Sequence, residues 1–280
     1  MKIDWNLVVQ GIRIADAQVE DLQRLSSAAE VLRLGPGTVR FFGATRHVQV
    51  ARYCDGRGFD FAFIPSAMRL ADFRLLAMDM DSTLITIECI DELADVYGVK
   101  KQVALITRRA MQGEIDFAES LRRRVALLKG LEEEALKRVY DDRLLLSQGA
   151  EHMLRAVKAL GIRTLLVSGG FTFFTERVKA RLGLDYAYSN QLEIEDGKLT
   201  GRVLGTVLDA QGKADKLLQV RHELGLSREQ VIAVGDGAND LEMMGEAGIS
   251  IAFHAKPIVQ RYATFCFNTV GLEGLLNLFP

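Results

Sequence analysis

Carboxylates crowd two short segments of this 280-residue chain, and each segment directly follows an apolar run. Asp79-Met80-Asp81-Ser82-Thr83 follows Leu75-Leu76-Ala77-Met78, and Gly235-Asp236-Gly237-Ala238-Asn239-Asp240 follows Gln230-Val231-Ile232-Ala233-Val234. Between them, Ser168-Gly169-Gly170 follows Arg163-Thr164-Leu165-Leu166-Val167, and Lys213 opens a helix-period segment that reaches Leu224. Each piece alone also suits a plain structural role: an acidic turn, a glycine turn into a helix, a capped helix start or a solvated lysine. Together they describe a reaction site. Asp79, Asp81, Asp236 and Asp240 at neighbouring strand ends would repel one another and any anion, so they call for a cation. With oxygen ligands only and no His or Cys pattern beside them, Mg²⁺ is favoured over zinc. The glycines after Ser168 let backbone N–H groups approach a phosphate, and a helix N-terminus favours negative charge there. Lys213 would add positive charge to the same cluster, with Lys216 one turn away as its rival.

These residues need a frame that brings three strand ends together. Apolar runs of four or five residues without alternation suit strands buried on both faces. Gly248-Ile249-Ser250-Ile251-Ala252 and Thr264-Phe265-Cys266-Phe267 continue the series, and helix-period segments such as Ala150 to Leu160 lie between runs. Strand and helix alternating in this way predict an α/β fold, a Rossmann-like parallel sheet whose ligands bind beyond the carboxyl ends of the strands. About seventy residues separate the first two runs, more than one crossover helix requires. Their helical stretch, about Glu88 to Leu146, is expected to form a cap over the strand ends. Alternation around Asp196-Gly197, from Gln191 to Thr200, predicts a β-hairpin.

The first seventy or so residues follow another pattern. A strand at Asn6 to Gln10, a helix near Val19 to Glu30, two strands meeting at Pro36-Gly37, a short helix near Thr45 to Tyr53 and a strand at Phe59 to Ile64 give the order β-α-β-β-α-β of a small ferredoxin-like α+β domain. The expected division is therefore residues 1–72 and residues 73–280, with the cap inserted at about 88–146.

Composition narrows the function classes. Hydrophobic residues make up 49% and charged residues 26%, and the formal net charge is -2. That balance exerts no general pull on nucleic acid or an acidic membrane, so neither is expected as a partner. Cys54, Cys89 and Cys266 are far apart and form no C-x-x-C pair, which argues against a disulfide framework or a zinc site. Met1-Lys2-Ile3-Asp4-Trp5 lacks the apolar core of a signal peptide, and no apolar run approaches a membrane span, so a cytoplasmic location is expected.

In chain order, the four motifs resemble those of the haloacid dehalogenase-like hydrolases. The form Asp79-Met80-Asp81-Ser82-Thr83 resembles more narrowly the phosphoserine phosphatase branch. The likeness runs from about Leu75 to Leu276. It implies that Asp79 attacks phosphorus to form an aspartyl-phosphate, while Asp81 protonates the leaving oxygen and later takes a proton from water. It implies one Mg²⁺ per active site, held by the Asp79 carboxylate, the Asp81 backbone carbonyl, Asp236 and waters. Lys213 would neutralise the transferring group, Ser168 and Gly169 would donate to phosphoryl oxygens, Asp240 would position Lys213 and the metal waters, and Asn239 would support the substrate loop.

The resemblance places substrate choice in the cap. Glu88 would face a substrate amine, Arg124 in Leu121-Arg122-Arg123-Arg124-Val125 would pair with a carboxylate, and Met111 would close over the bound molecule. A zwitterionic amino acid needs one group of each sign, which Glu88 and Arg124 supply. The implied reaction is hydrolysis of O-phospho-L-serine to serine and phosphate, the last step of serine biosynthesis. The alternatives are another small phosphomonoester, phosphoryl transfer to an acceptor such as homoserine, or a chain that chiefly binds an amino acid. The N-terminal segment resembles a divergent ACT-like domain by element order, which implies a role in forming a homodimer or in sensing serine.

Overall fold

The computed structural model describes residues 4–280. Residues 5–65 follow the order β-α-β-β-α-β: β1 (Trp5–Gln10), α1 (Asp16–Ser26), β2 (Glu30–Gly35), β3 (Thr38–Phe42), α2 (Val48–Asp55) and β4 (Asp60–Pro65). The four strands form an antiparallel sheet in the order β2-β3-β1-β4. Leu7 and Val9 of β1, with Val39 and Phe41, pack against Leu22 of α1 and Val50 and Cys54 of α2. Two helices start elsewhere than the apolar pattern suggested. Helix α1 begins at Asp16 because Gln18 Oε1 accepts the Ala15 N–H, and it ends where Ser27 turns left-handed at φ 50°. Helix α2 begins at Val48, where His47 Nδ1 accepts the Gln49 N–H.

The remaining elements are β5 (Leu75–Met78), α3 (Cys89–Tyr97), α4 (Lys100–Met111), α5 (Phe117–Ala126), α6 (Glu134–Arg143), α7 (Ala150–Ala159), β6 (Arg163–Phe171), α8 (Thr172–Leu182), β7 (Tyr186–Glu195), β8 (Lys198–Leu204), α9 (Ala210–Glu223), β9 (Val231–Gly235), α10 (Leu241–Gly245), β10 (Ile249–Phe253), α11 (Pro257–Tyr262), β11 (Phe265–Phe267) and α12 (Gly274–Leu278). They build a seven-stranded sheet in the order β11-β10-β9-β5-β6-β7-β8. Every pair is parallel except β7 with β8. Strands β5, β9 and β10 are buried along their whole length, as unbroken apolar runs require when helices cover both faces. Burying one such Val, Leu or Ile contributes about 1.5–3 kcal/mol, so the central strands anchor the sheet.

Strand order positions the chemistry. β5 lies between β9 and β6, with Met78 level with Val234 on one side and Leu166 on the other. Asp79, Gly235 and Val167, the residues that follow these three, therefore stand side by side at one edge of the sheet. Helices α3 to α6 all fall between β5 and β6, and an isolated bridge from Ile85 to Leu146 closes the neck of this insertion. The β7–β8 hairpin turns at Asp196 and Gly197, both left-handed at φ 50° and 74°, which suits a tight hairpin. It braces the cap through Gly130 N–H to Leu199 O at 2.8 Å and Leu199 N–H to Leu131 O at 2.9 Å.

The small sheet docks on the C-terminal segment. Asp60 accepts the N–H groups of Asn268, Thr269 and Val270 at 2.8, 2.9 and 3.0 Å, and Arg40 donates to Asn277 O and Phe279 O. No helix among the described residues is long and apolar enough to cross a membrane.

Candidate active site

Asp79 follows β5 and Lys213 reaches it from α9. Helix α9 begins at Ala210, three residues before the start suggested by sequence, because the Asp209 carboxylate accepts the Gly212 N–H at 2.9 Å. Lys213 thus sits in the first helical turn. Its Nζ donates to Asp79 Oδ1 at 2.5 Å and to Asp240 Oδ1 at 2.8 Å, with all three side chains at most 5% exposed. Asp240 Oδ2 accepts the N–H groups of Asp236 and Gly237 at 3.1 and 3.0 Å. Asp240 is thereby fully occupied in fixing Lys213 and the loop after β9. Lys216, the rival lysine, points elsewhere: its ammonium bonds Gln219 and lies over the Tyr188 ring.

Burial pushes the Asp79 carboxyl up, Asp240 adds to that, and Lys213 opposes both. Burial pulls Lys213 down, but Asp240 and Asp79 outweigh it, so the ammonium is held more tightly than in water. The Asp236 carboxyl is pushed up to about 6, by burial first and Asp240 second, against the pull of Lys256 and Lys213.

Asp81 lies in the turn after Asp79, where Ser82 is left-handed at φ 58°. Asp81 Oδ1 accepts the Cys89 N–H at 2.8 Å, and Oδ2 accepts the Ser168 hydroxyl at 3.1 Å. Ser168 Oγ in turn accepts the Gly170 N–H at 2.8 Å. The Ser168 side chain is therefore engaged with Asp81 in this structure, and the glycines beside it form the wall of the site. Burial raises the Asp81 carboxyl despite these hydrogen bonds, which favours a protonated form able to donate.

A cavity of about 590 Å³ opens over these groups and is closed on its far side by the cap. Asp79, Asp81, Gly169, Gly170, Asp236 and Asn239 line it from the core. Glu88, Met111 and Arg124 line it from the cap, so the structure brings the three cap residues singled out by sequence to one space. Glu88 Oε1 accepts the Ser82 hydroxyl at 2.8 Å. Its carboxyl keeps exposed surface yet faces into the cavity, where the surrounding protein and then Asp81 push it up to about 7. Arg124 is half-buried and donates through Nε to Ser120 O at 3.4 Å, with no carboxylate at ion-pair distance among the described residues. Met111 stands at the rim, 67% exposed.

Three lining residues carried no sequence signal of their own. Phe117 follows the α5 cap residue Asp116 and packs on the site so closely that a Cβ at Gly169 would stand 2.8 Å from its ring. Asp91 lies in the first turn of α3, and Lys256 precedes α11. None belongs to a motif, because their place depends on how the cap and the C-terminal elements fold back over the sheet.

Ligand-capable oxygens of Asp79, Asp236 and Asp240 lie within 4.8 Å of one another. Asp240 has both oxygens engaged, whereas Asp79 Oδ2 has no protein partner among the described residues and Asp236 meets only Thr83 Oγ1, at 3.4 Å. Under-partnered carboxylate oxygens, with no sulfur or imidazole beside them, suit a hard divalent cation such as Mg²⁺.

The closeness of Gly235 to Asp240 makes a direct test. A Cβ at Gly235 would stand 2.6 Å from the Asp240 carboxylate, whereas one at Gly245 meets nothing within 4 Å. Gly235→Ala is expected to lower unfolding free energy by about 2–3 kcal/mol, and Gly245→Ala to leave it unchanged or raised by up to about 1 kcal/mol. Chemical denaturation of both variants checks this, and equal stabilities would contradict the packing described for Asp240.

With this geometry in place, comparison with known proteins is informative. The haloacid dehalogenase-like hydrolase family matches residues 76–245. The phosphoserine phosphatase of Polaromonas sp. (strain JS666 / ATCC BAA-500) is 54% identical over 216 residues, spanning 75% of this chain and 92% of that protein. A crystal structure of a probable phosphoserine phosphatase from Vibrio cholerae, in unliganded form, superposes with a TM-score of 0.86 at 39% identity, covering 99% of this chain and 86% of that one. A phospho-aspartyl intermediate analogue of phosphoserine phosphatase gives a TM-score of 0.70 at 41% identity, covering 74% of this chain and 99% of that one. The chain belongs to the haloacid dehalogenase-like hydrolases, in the branch that holds the phosphoserine phosphatases.

Proposed function

We propose that the chain hydrolyses O-phospho-L-serine to serine and phosphate through an aspartyl-phosphate on Asp79. The observation that carries this reading is one cavity with a lysine-held Asp79 at its floor and Glu88 and Arg124 in its cap. Phosphoserine has a phosphate for the floor, an ammonium for Glu88 and a carboxylate for Arg124. Met111 and Phe117 would cover it from the cap, and Asn239 would support the loop beneath it. Its relatives named as phosphoserine phosphatases support the same substrate.

In the first step an Asp79 carboxylate oxygen forms a bond to phosphorus as the bond from phosphorus to the serine oxygen breaks. Asp81 gives that oxygen its proton. In the second step water attacks phosphorus, Asp81 takes its proton, and the acyl-phosphate bond to Asp79 breaks to release phosphate. Lys213 and the backbone amides at Ser168 and Gly169 would offset charge on the phosphoryl oxygens, which is the main demand of this reaction. Asp240 acts by holding Lys213 and the loop. Residues Asp79, Asp236 and the backbone carbonyl of Asp81 would hold Mg²⁺, which when bound supplies further positive charge against the phosphoryl oxygens.

The division into residues 1–72 and 73–280 is part of the same proposal. The first unit is read as an ACT-like, ferredoxin-like domain that supports a homodimer or senses serine, and the enzyme as one of the cytoplasm. Its β-α-β-β-α-β order and antiparallel sheet support that reading.

Phosphate release from L-phosphoserine and from a panel of other esters, with and without Mg²⁺ and acceptor alcohols, tests the reaction. Phosphoserine is expected to be the preferred ester, in a Mg²⁺-dependent reaction. Arg124→Ala is expected to raise KM for phosphoserine by about 100-fold while sparing phenyl phosphate, since a charge-assisted pair to the carboxylate is lost. Equal losses on both esters, or another ester preferred by the wild type, would overturn the substrate and leave the hydrolytic machinery in place.

Glu88 adds a pH dependence. With its carboxyl at about 7 it is neutral below that pH, so attraction for the substrate ammonium is present above pH 7 and lost as pH falls through it. Between about pH 8 and pH 6, KM for phosphoserine should rise about fivefold relative to KM for phenyl phosphate. Glu88→Gln should abolish that difference. A ratio that stays flat in the wild type would remove Glu88 from ammonium binding.

A further inference from the structure

The lining of the cavity is unevenly charged. Asp79, Asp81, Glu88, Asp91 and Asp236 line it, against Arg124 and Lys256 as the only lining cations among the described residues. Even with Mg²⁺ at Asp79 and Asp236, a phosphate dianion enters past Asp81, Glu88 and Asp91. Arg124 stands at the cap end, and Lys213 lies behind Asp79, locked between two carboxylates. At the phosphate end, Lys256 is the lining cation left free. Its side chain is exposed and makes no ion pair or hydrogen bond among the described residues.

The backbone fixes where Lys256 stands. After β10 the chain turns through His254, left-handed at φ 45°, whose N–H donates to Phe267 O at 2.7 Å. Two residues on, the Lys256 N–H donates to Asp236 O at 3.1 Å, tying it to the loop that carries the metal-site carboxylate. Pro257 then holds Lys256 in extended backbone at φ -62° and ψ 150°. A left-handed residue, a hydrogen bond to the active-site loop and a proline thus place an unpaired ammonium on the cavity wall.

We propose that Lys256 captures the phosphate end of the substrate, drawing the dianion past the surrounding carboxylates before the reaction on Asp79. This rests on the phosphoester reading of the site. Lys256 would read the phosphate alone, in contrast to Arg124, which reads the carboxylate. Its effect belongs to the encounter, so it enters kcat/KM and the salt dependence of kcat/KM, and leaves kcat nearly untouched.

The test uses Lys256→Gln and Lys256→Arg in the full chain, assayed with Mg²⁺ on phosphoserine and phenyl phosphate. Lys256→Gln is expected to lower kcat/KM about fivefold at about 20 mM salt and less than about twofold at about 0.5 M, where charges are screened. Both esters should lose equally, kcat should stay within about twofold, and Lys256→Arg should restore the wild-type salt slope. A fall in kcat at unchanged KM, a salt slope equal to the wild type's, or a half-saturating Mg²⁺ concentration that moves with kcat/KM would overturn the proposal. If the wild type prefers another ester, the phosphoserine reading fails and the Lys256 comparison runs on that ester. If no ester is turned over, calorimetric binding of inorganic phosphate with Mg²⁺ decides: unchanged affinity in Lys256→Gln overturns the proposal, and weakened affinity supports it.

Discussion

An ammonium with only 1% of its side chain exposed stays charged inside a protein only where carboxylates surround it, and Lys213 has two, Asp79 and Asp240. Removing one partner from such a buried group costs several kcal/mol, because the remaining charge cannot recover its lost hydration. Much of the surrounding geometry serves this contact. The Asp209 cap starts α9 early enough to put Lys213 in its first turn, Gly235 leaves room for the Asp240 carboxylate, and the Asp236 and Gly237 amides occupy its other oxygen. The parallel register of β5 with β9 sets Asp79 level with that loop. One oxygen of Asp79 is held by Lys213, and the other is left for chemistry.

The site divides its labour between two bodies of sequence. The sheet ends supply a carboxylate held by Lys213, a second at Asp81 whose proton is favoured by burial, glycine-rich backbone and oxygens that suit a divalent cation. The cap supplies one group of each sign, Glu88 and Arg124, together with the Phe117 ring that packs on Gly169. The cap is braced by the β7–β8 hairpin and tied to the floor where Asp81 accepts the Cys89 N–H and Glu88 accepts the Ser82 hydroxyl.

Much of this was legible in the sequence, for definite reasons. Strands β5, β9 and β10 are buried on both faces and so read as unbroken apolar runs. Their ends carried Asp79 and Asp236 in positions where an α/β sheet binds ligands. The hairpin was visible because Asp196-Gly197 is a turn that alternating flanks make unambiguous. Helix ends were less legible, since side-chain caps decide them: Gln18 and His47 moved α1 and α2 from the limits that apolar spacing suggested. Phe117, Asp91 and Lys256 could not be found from spacing, because each reaches the cavity through tertiary folding rather than through a motif. The sequence pointed to Ser168 as a donor to phosphate without saying which of its groups donates, and its hydroxyl here donates to Asp81.

The most direct measurement is to mix the enzyme with phosphoserine and Mg²⁺, quench in acid within milliseconds, and map the phosphorylated peptide by mass spectrometry. One base-labile phosphate is expected on Asp79, present during turnover and absent from Asp79→Asn. Release of serine and phosphate with no phosphorylated Asp79 at any quench time, or turnover retained by Asp79→Asn, would contradict it.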